Sequence, residues 1–209
     1  PLGHIVENRL TRTALFATAE TMAGFTLMAP ARVTEAVFGK HHVDVTLAGG
    51  QRLRAKLLIA ADGRESPLRT QVGIKTVGWS YAQTGIVCTV EHEKPHHGVA
   101  QEYFLPAGPF AILPMTGNRS SLVWTEREDL APAILKLNEA DFTAELAARF
   151  TDFLGAVKPV GPRWSYPLSL HLATDYVAPR FALAGDAAHG IHPIAGQGLN
   201  LGLRDAAAL

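Results

Sequence analysis

The apolar positions change period along the chain, and each change marks an element. Val6, Leu10, Ala14 and Ala17 recur at helical spacing and predict a helix over Val6–Ala19. Phe25–Met28 reads as a short strand. Arg32–Phe38, His42–Leu47 and Arg52–Ala60 then alternate, separated by Gly39-Lys40 and Gly49-Gly50, which predicts a three-stranded antiparallel meander. The last of these runs is expected to end as a buried strand that carries Asp62 to its carboxyl end, where Gly63 turns the chain. Ser66 then caps a short helix with Pro67 at its first position.

A second set of strands follows at Ile86–His92, Val99–Leu105, Ala111–Met115 and Ser120–Thr125, with turns expected at Pro95, Gly108-Pro109 and Gly117-Asn118. Leu130–Leu137 and Ala140–Phe150 have helical patterns, and Trp164–His171 reads as another strand. The chain closes with a strand from Phe181, a loop rich in Gly and His, and a helix that opens on glycines. The uncovered N–H groups of such a helix start are open to an electron-rich group. The second sheet therefore lies between Asp62 and Gly185-Asp186, as an insertion into a cofactor-binding part.

Composition narrows the possibilities. The 209 residues suffice for one large domain or two small ones; 47% are hydrophobic, 18% charged, and the net charge is zero. No basic face is implied, so nucleic acid is not an expected partner. The single cysteine, Cys88, excludes an intrachain disulfide and fits a reducing compartment. No apolar run reaches the roughly 18 residues of a membrane span, and Glu7, Arg9 and Arg12 interrupt any signal-peptide pattern. The start at Pro1-Leu2-Gly3-His4 and the stop inside a helix at Arg204–Leu209 lead us to expect an internal piece of a longer protein.

Several residues carry candidate chemistry. Asn8 and Arg9, in the first turn of the first helix, fit either a capped surface helix or a phosphate contact. Asp62 at a strand end suits sugar or ribityl hydroxyls, and Arg64 and Arg69 could face phosphate. Gly78-Trp79-Ser80-Tyr81-Ala82 approaches a nucleophile elbow, but the alternation from Tyr81 to Val90 places it in a strand. His41 and His42 would point to opposite faces of a strand and are read as surface residues. His92, His96 and His97 belong to a solvated loop. Asp186, His189 and His192 have a usable ligand spacing, but a metal leaves the surrounding Gly and Pro pattern unexplained, so no metal is expected.

Two motifs carry a resemblance. Asp62-Gly63-x-x-Ser66-x-Leu68-Arg69 and Gly185-Asp186-Ala-Ala-His189-x-x-x-Pro193-x-x-Gly196-x-Gly198-x-Asn200 resemble the two later fingerprints of the single-component FAD aromatic hydroxylases. Val6-Glu-Asn-Arg9, Gly108–Met115, Ser121–Trp124 and Tyr166-Pro-Leu168 are similar to the ubiquinone-biosynthesis branch. The resemblance implies a mixed α/β (α+β) fold: an FAD-binding Rossmann-like sheet lacking its first βαβ unit, with an inserted antiparallel β-sheet substrate domain. Residues 1–75 and 173–209 would form the FAD part and residues 76–172 the substrate part.

The implied roles follow residue by residue. Gly185 and Asp186 would hold the ribityl chain of FAD, and Pro193 would lie close to the ring. Gly196, Gly198, Leu199 and Asn200 would present N–H groups to its N1–C2=O edge. Asp62 and Gly63 would serve both FAD and the reductant, NADPH or NADH, while Asn8 and Arg9 would lie near the phosphates and ribityl chain. The implied chemistry is reduction of the flavin, addition of O₂ at C4a, and hydroxylation of a prenylated phenol by the hydroperoxide. Phe110, Ile112, Leu113 and Met115 suit such a phenol and equally suit a plain core.

A cytoplasmic protein is implied, peripheral on the inner membrane and associated with other ubiquinone-pathway proteins. The family's opening G-x-G-x-x-G is not found in this sequence. If these residues act alone, weak or no FAD binding and an exposed sheet edge are expected. The alternatives are a non-catalytic fragment or assembly subunit, or a flavin hydroxylase acting on another phenol.

Overall fold

The computed structural model describes residues 3–150 and 152–209; Pro1, Leu2 and Thr151 lie outside the described residues. In chain order the elements are α1 (Asn8–Thr21), β1 (Val33–Phe38), β2 (Val43–Leu47), β3 (Arg52–Ala55), β4 (Leu58–Ala60), α2 (Pro67–Val72) and β5 (Thr76–His92). There follow β6 (Gln101–Leu105), β7 (Gly108–Met115), β8 (Arg119–Arg127), α3 (Ala131–Lys136), α4 (Glu139–Phe150) and β9 (Val157–Ala173). The chain ends with β10 (Val177–Ala178), β11 (Phe181–Leu183), β12 (His189–Gly190) and α5 (Gly198–Ala208). Two compact units result, one from residues 1–25 and 82–168, the other from residues 26–81 and 169–209.

The first unit is an antiparallel sheet covered on one face by α4. Alternation puts Ile86, Cys88 and Val90 of β5 on one side, and register pairs Ile86 with Trp124 and Cys88 with Leu122 on β8. Phe110 and Ile112 of β7 continue those rows. Phe142, Leu146 and Phe150, one turn apart on α4, close the layer, and all these side chains are buried. Burial pushes the Cys88 thiol up to about 11, so the thiolate is suppressed there. A cleft of about 220 Å³ lies beside α3, lined by Thr84, Ala131, Leu135 and Ser165–Pro167.

The second unit holds two sheets. β1, β2 and β3 form the meander, with Val43, Val45 and Leu47 of β2 buried on its inner face. The other sheet has the order β10-β11-β4, in which β4 and β11 run parallel with Leu58, Ile59 and Ala60 opposite Phe181, Ala182 and Leu183. All three β11 residues are buried, the pattern of a strand covered on both faces. Phe38 meets Phe181 edge to face at 5.8 Å and ties the meander to this pair. Parallel neighbours need a long crossover, which here is everything from Asp62 to Arg180.

Several expectations need correction. Phe25–Met28 is extended but forms no strand; Phe25 and Leu27 are exposed, and no ladder partner faces them among the described residues. The run Arg52–Ala60 breaks at Lys56-Leu57, because its first half pairs with β2 and its second half with β11. That second half is only partly buried, since Leu57 and Ile59 are exposed and Ala60 is covered. Gly108-Pro109 is no turn but the start of β7; the two-residue turn is Pro106-Ala107. A Cβ on Gly108 would lie 2.5 Å from Thr125 Cγ2, so the close approach of β7 to β8 requires glycine.

His92 is not solvated. It is buried, with Nδ1 against the Lys94 carbonyl at 2.8 Å and Nε2 against Ser120 Oγ at 3.1 Å. Ser80 lies inside β5, so the nucleophile-elbow geometry does not form.

Candidate functional site

The parallel pairing of β4 with β11 brings together what the sequence keeps far apart. Asp62 follows the end of β4, and Gly185-Asp186 follows the end of β11, so both motifs leave from neighbouring carboxyl ends. The Ala184 N–H donates to the Ala60 carbonyl at 3.0 Å and extends the pairing up to the motifs. In open α/β sheets this is where ligands bind.

On the β4 side, Gly63 is left-handed at φ +88° and turns the chain into α2. Ser66 Oγ accepts the Arg69 N–H at 3.0 Å, the expected cap. Asp62 is exposed, and its Oδ2 takes a long 3.4 Å bond from the Leu68 N–H. Both arginines, read as able to face phosphate, are engaged with protein partners. Arg64 donates to Ser169 Oγ and lies flat against Gly190, where a Cβ would come within 2.5 Å of Nη2. Arg69 is buried, and its guanidinium donates to the Ala187 carbonyl at 2.8 Å and to the Arg64 carbonyl at 2.9 Å, with His171 Nε2 also at 2.9 Å.

On the β11 side, Gly185 is left-handed at φ +60° and opens a single 3-10 turn over Gly185–Ala187. Its N–H donates to Asp205 Oδ2 at 2.7 Å, and the same oxygen meets His189 Nε2 at 2.8 Å. Gly202 of α5 packs against the turn, since a Cβ there would lie 3.4 Å from the Gly185 Cα. Asp186 itself is exposed.

Beyond β12, His192 packs edge-on against Tyr81 at 5.1 Å, and its Nδ1 accepts the Ile194 N–H at 3.2 Å. Pro193 begins a 3-10 turn that ends at the left-handed Gly196. α5 starts at Gly198 with no side-chain cap, and its first intrahelical bond is from the Leu201 N–H to Gln197. The N–H groups of Gly198, Leu199 and Asn200 are therefore uncovered at an exposed helix start, and nothing lies within 4 Å of a Cβ built on Gly196 or Gly198. Uncapped donors beside an exposed carboxylate fit a planar, electron-rich ring carrying a hydroxylated chain.

The other anticipated residues belong to the first unit. Asn8 begins α1, and Arg9 pairs with Glu7 at 2.8 Å; both are exposed. Phe110 and Ile112 serve the core, because alternation turns them towards α4, whereas Leu113 and Met115 remain half-buried. No three His, Cys, Asp or Glu side chains converge on a metal geometry among the described residues, and His189 is engaged with Asp205.

Sequence reasoning missed Asp205 altogether. No local signal marks it, because its partners Gly185 and His189 lie before α5 begins. It likewise missed His171, which burial and then the Arg69 and Arg64 charges hold below the ordinary imidazole range, against weaker opposing effects of Glu65 and Asp186. The unfolded chain thus takes up this proton first as pH falls, so stability is full above roughly pH 6.5 and declines below it. Urea midpoints at about pH 7.5 and about pH 5.5 are expected to differ less in His171→Gln than in the parent; an unchanged difference would contradict the assignment.

Comparison with known proteins gives the family and the fold. The family profile described as FAD binding domain matches residues 5–209. A Rhodospirillum rubrum protein named ubiquinone hydroxylase UbiL is 57% identical over 211 residues, covering 100% of this chain and 49% of that protein. The Escherichia coli 3-demethoxyubiquinol 3-hydroxylase is 39% identical over 208 residues, covering 100% of this chain and 53% of that protein. The chain thus spans about half the length of the curated relatives it matches. Among solved structures, pqsL of Pseudomonas aeruginosa, described as a probable FAD-dependent monooxygenase, superposes with a TM-score of 0.80 at 22% identity, covering 95% of this chain and 57% of that one. That likeness establishes the mixed α/β fold. No helix among the described residues is long and apolar enough to cross a membrane.

Proposed function

The chain belongs to the FAD-binding-domain family, and from that premise we propose that it is part of a flavin-dependent monooxygenase that hydroxylates a prenylated phenol in ubiquinone biosynthesis. The observation that carries the reading is the convergence of Asp62-Gly63 and Gly185-Asp186 on neighbouring strand ends, beside the uncovered start of α5. Relatives named as ubiquinone hydroxylases support the substrate class.

The proposal gives each residue a role. Asp186 accepts hydrogen bonds from the ribityl hydroxyls, and the N–H groups of Gly198, Leu199 and Asn200 face the carbonyl edge of the ring. Gly196 and Pro193 let the ring approach, Gly185 fixes the turn, and Asp62 and Gly63 border the same opening. In this reading residues 1–75 and 173–209 serve the cofactor and residues 76–172 the substrate, a functional division that differs from the compact units in residues 1–25, which belong with residues 82–168; Leu113 and Met115 lie on the substrate surface. Bound FAD supplies the redox chemistry and the activation of O₂. The reaction consumes the phenol, O₂, NADH or NADPH and a proton, and yields the hydroxylated phenol, water and NAD(P)⁺. A polyprenyl substrate places the enzyme at the membrane surface with its pathway partners. The sequence motifs also resemble 2-octaprenyl-6-methoxyphenol hydroxylase, so more than one ring position needs assay.

The full-length protein is expected to purify with FAD and to oxidise NADH or NADPH faster when a prenylated phenol is added. A product heavier by one oxygen, read by mass spectrometry under ¹⁸O₂, completes the test. Bound flavin without phenol-dependent oxidation or product would favour a non-catalytic role instead.

A further inference from the structure

We infer that Arg69 and Asp205 are positioning residues that clamp the turn carrying Asp186 from both sides and so set where its carboxylate points; this rests on the reading of Asp186 as a ribityl ligand. The two contacts bracket it in sequence. Asp205 Oδ2 accepts the Gly185 N–H at 2.7 Å on one side, and Arg69 Nη1 donates to the Ala187 carbonyl at 2.8 Å on the other. Between them Asp186 is exposed, so its backbone is fixed and its side chain is presented to solvent.

The clamps come from different elements. Arg69 belongs to α2, which follows the Asp62-Gly63 motif, and Asp205 belongs to α5, whose start carries the uncovered N–H groups. The turn is therefore referenced to both neighbouring parts of the candidate site. The Arg69 clamp is also costly by ordinary rules, which a packing role alone does not explain. Arg69 is 6% exposed, and its partners at the clamp are neutral: the Ala187 and Arg64 carbonyls and His171 Nε2. A buried guanidinium without a carboxylate is poorly compensated. One oxygen of Asp205 serves both Gly185 and the buried His189. A left-handed Gly185 gives the turn little rigidity of its own, and two charge-assisted bonds supply it.

A double-mutant cycle in the full-length protein separates positioning from bulk stability. Arg69→Lys and Asp205→Asn are made alone and combined with Asp186→Asn, and the Kd for FAD is measured on deflavinated protein by flavin fluorescence. Each single change is expected to weaken FAD about tenfold, the order of one lost charge-assisted hydrogen bond. In the Asp186→Asn background each is expected to weaken it less than about twofold. Equal losses in both backgrounds would overturn the proposal, since the residues would then act independently of Asp186, and so would unchanged Kd values in both single variants. Asp205→Asn retains the shape of the side chain and gives an independent answer if Arg69→Lys does not fold. If Asp186→Asn alone leaves the Kd unchanged while the parent binds FAD, the ribityl assignment fails first, and the inference fails with it.

Discussion

Asp186→Ala in the full-length protein is expected to release FAD on gel filtration that the parent retains. In the proposed reading this carboxylate is the acceptor for the ribityl chain, and no other exposed carboxylate stands on that turn. Loss of the charge-assisted bonds proposed for this carboxylate is expected to weaken binding roughly ten- to hundredfold. The side chain is exposed, so the flavin-free protein is expected to unfold at nearly the same urea concentration as the parent. Weaker binding with unchanged stability identifies a ligand contact. Unchanged flavin retention would remove Asp186 from the site.

The largest loss of stability is expected from Trp124→Ala. Trp124 is 1% exposed and forms the middle of the first unit's core. Its ring meets Phe110 and Phe142, each with centroids 6.0 Å apart, and Arg149 lies over it at 4.3 Å. Removing a buried indole costs about 3–5 kcal/mol through lost transfer energy and the cavity left behind. It also takes the cation–π partner from Arg149. A typical domain has only about 5–15 kcal/mol in total, so this unit is expected to unfold at much lower urea. Trp124→Phe keeps most of the volume and is expected to cost less. A loss below about 1 kcal/mol in the alanine variant would show that the ring is not central to this core.

The elements that were legible in the sequence are those whose signals are local. The meander showed in its Gly-separated alternations, and Ser66-Pro67 announced its helix through a cap and a fixed φ. α4 was visible in the spacing of Phe142, Leu146 and Phe150. What failed depended on distant partners. Phe25–Met28 has strand composition but no neighbour to pair with, and Arg52–Ala60 is one apolar run that two different sheets divide. At the candidate site, the Gly and Asp of each motif could be read directly because their conformations and exposure are local properties. Arg69 could not. A basic residue in the last turn of a helix is an ordinary sight, and only the arrival of Ala187 and His171 beside it gives it a different role. Asp205 escaped for the same reason, because its partners Gly185 and His189 lie before α5 begins.

The parallel pairing of β4 with β11 also bears on the order in which the protein forms. On a ribosome β4 emerges first and must wait for about 120 further residues before its partner exists. Until then, the edge that will receive β11 has no partner and is open to pairing with other chains. Closing so long a loop is slow if the intervening chain is loose, but folding of the inserted sheet first shortens the span that must be searched. Destabilising that sheet, as Trp124→Ala does, should then delay the pairing of β4 with β11 and the joining of the two motifs at its end.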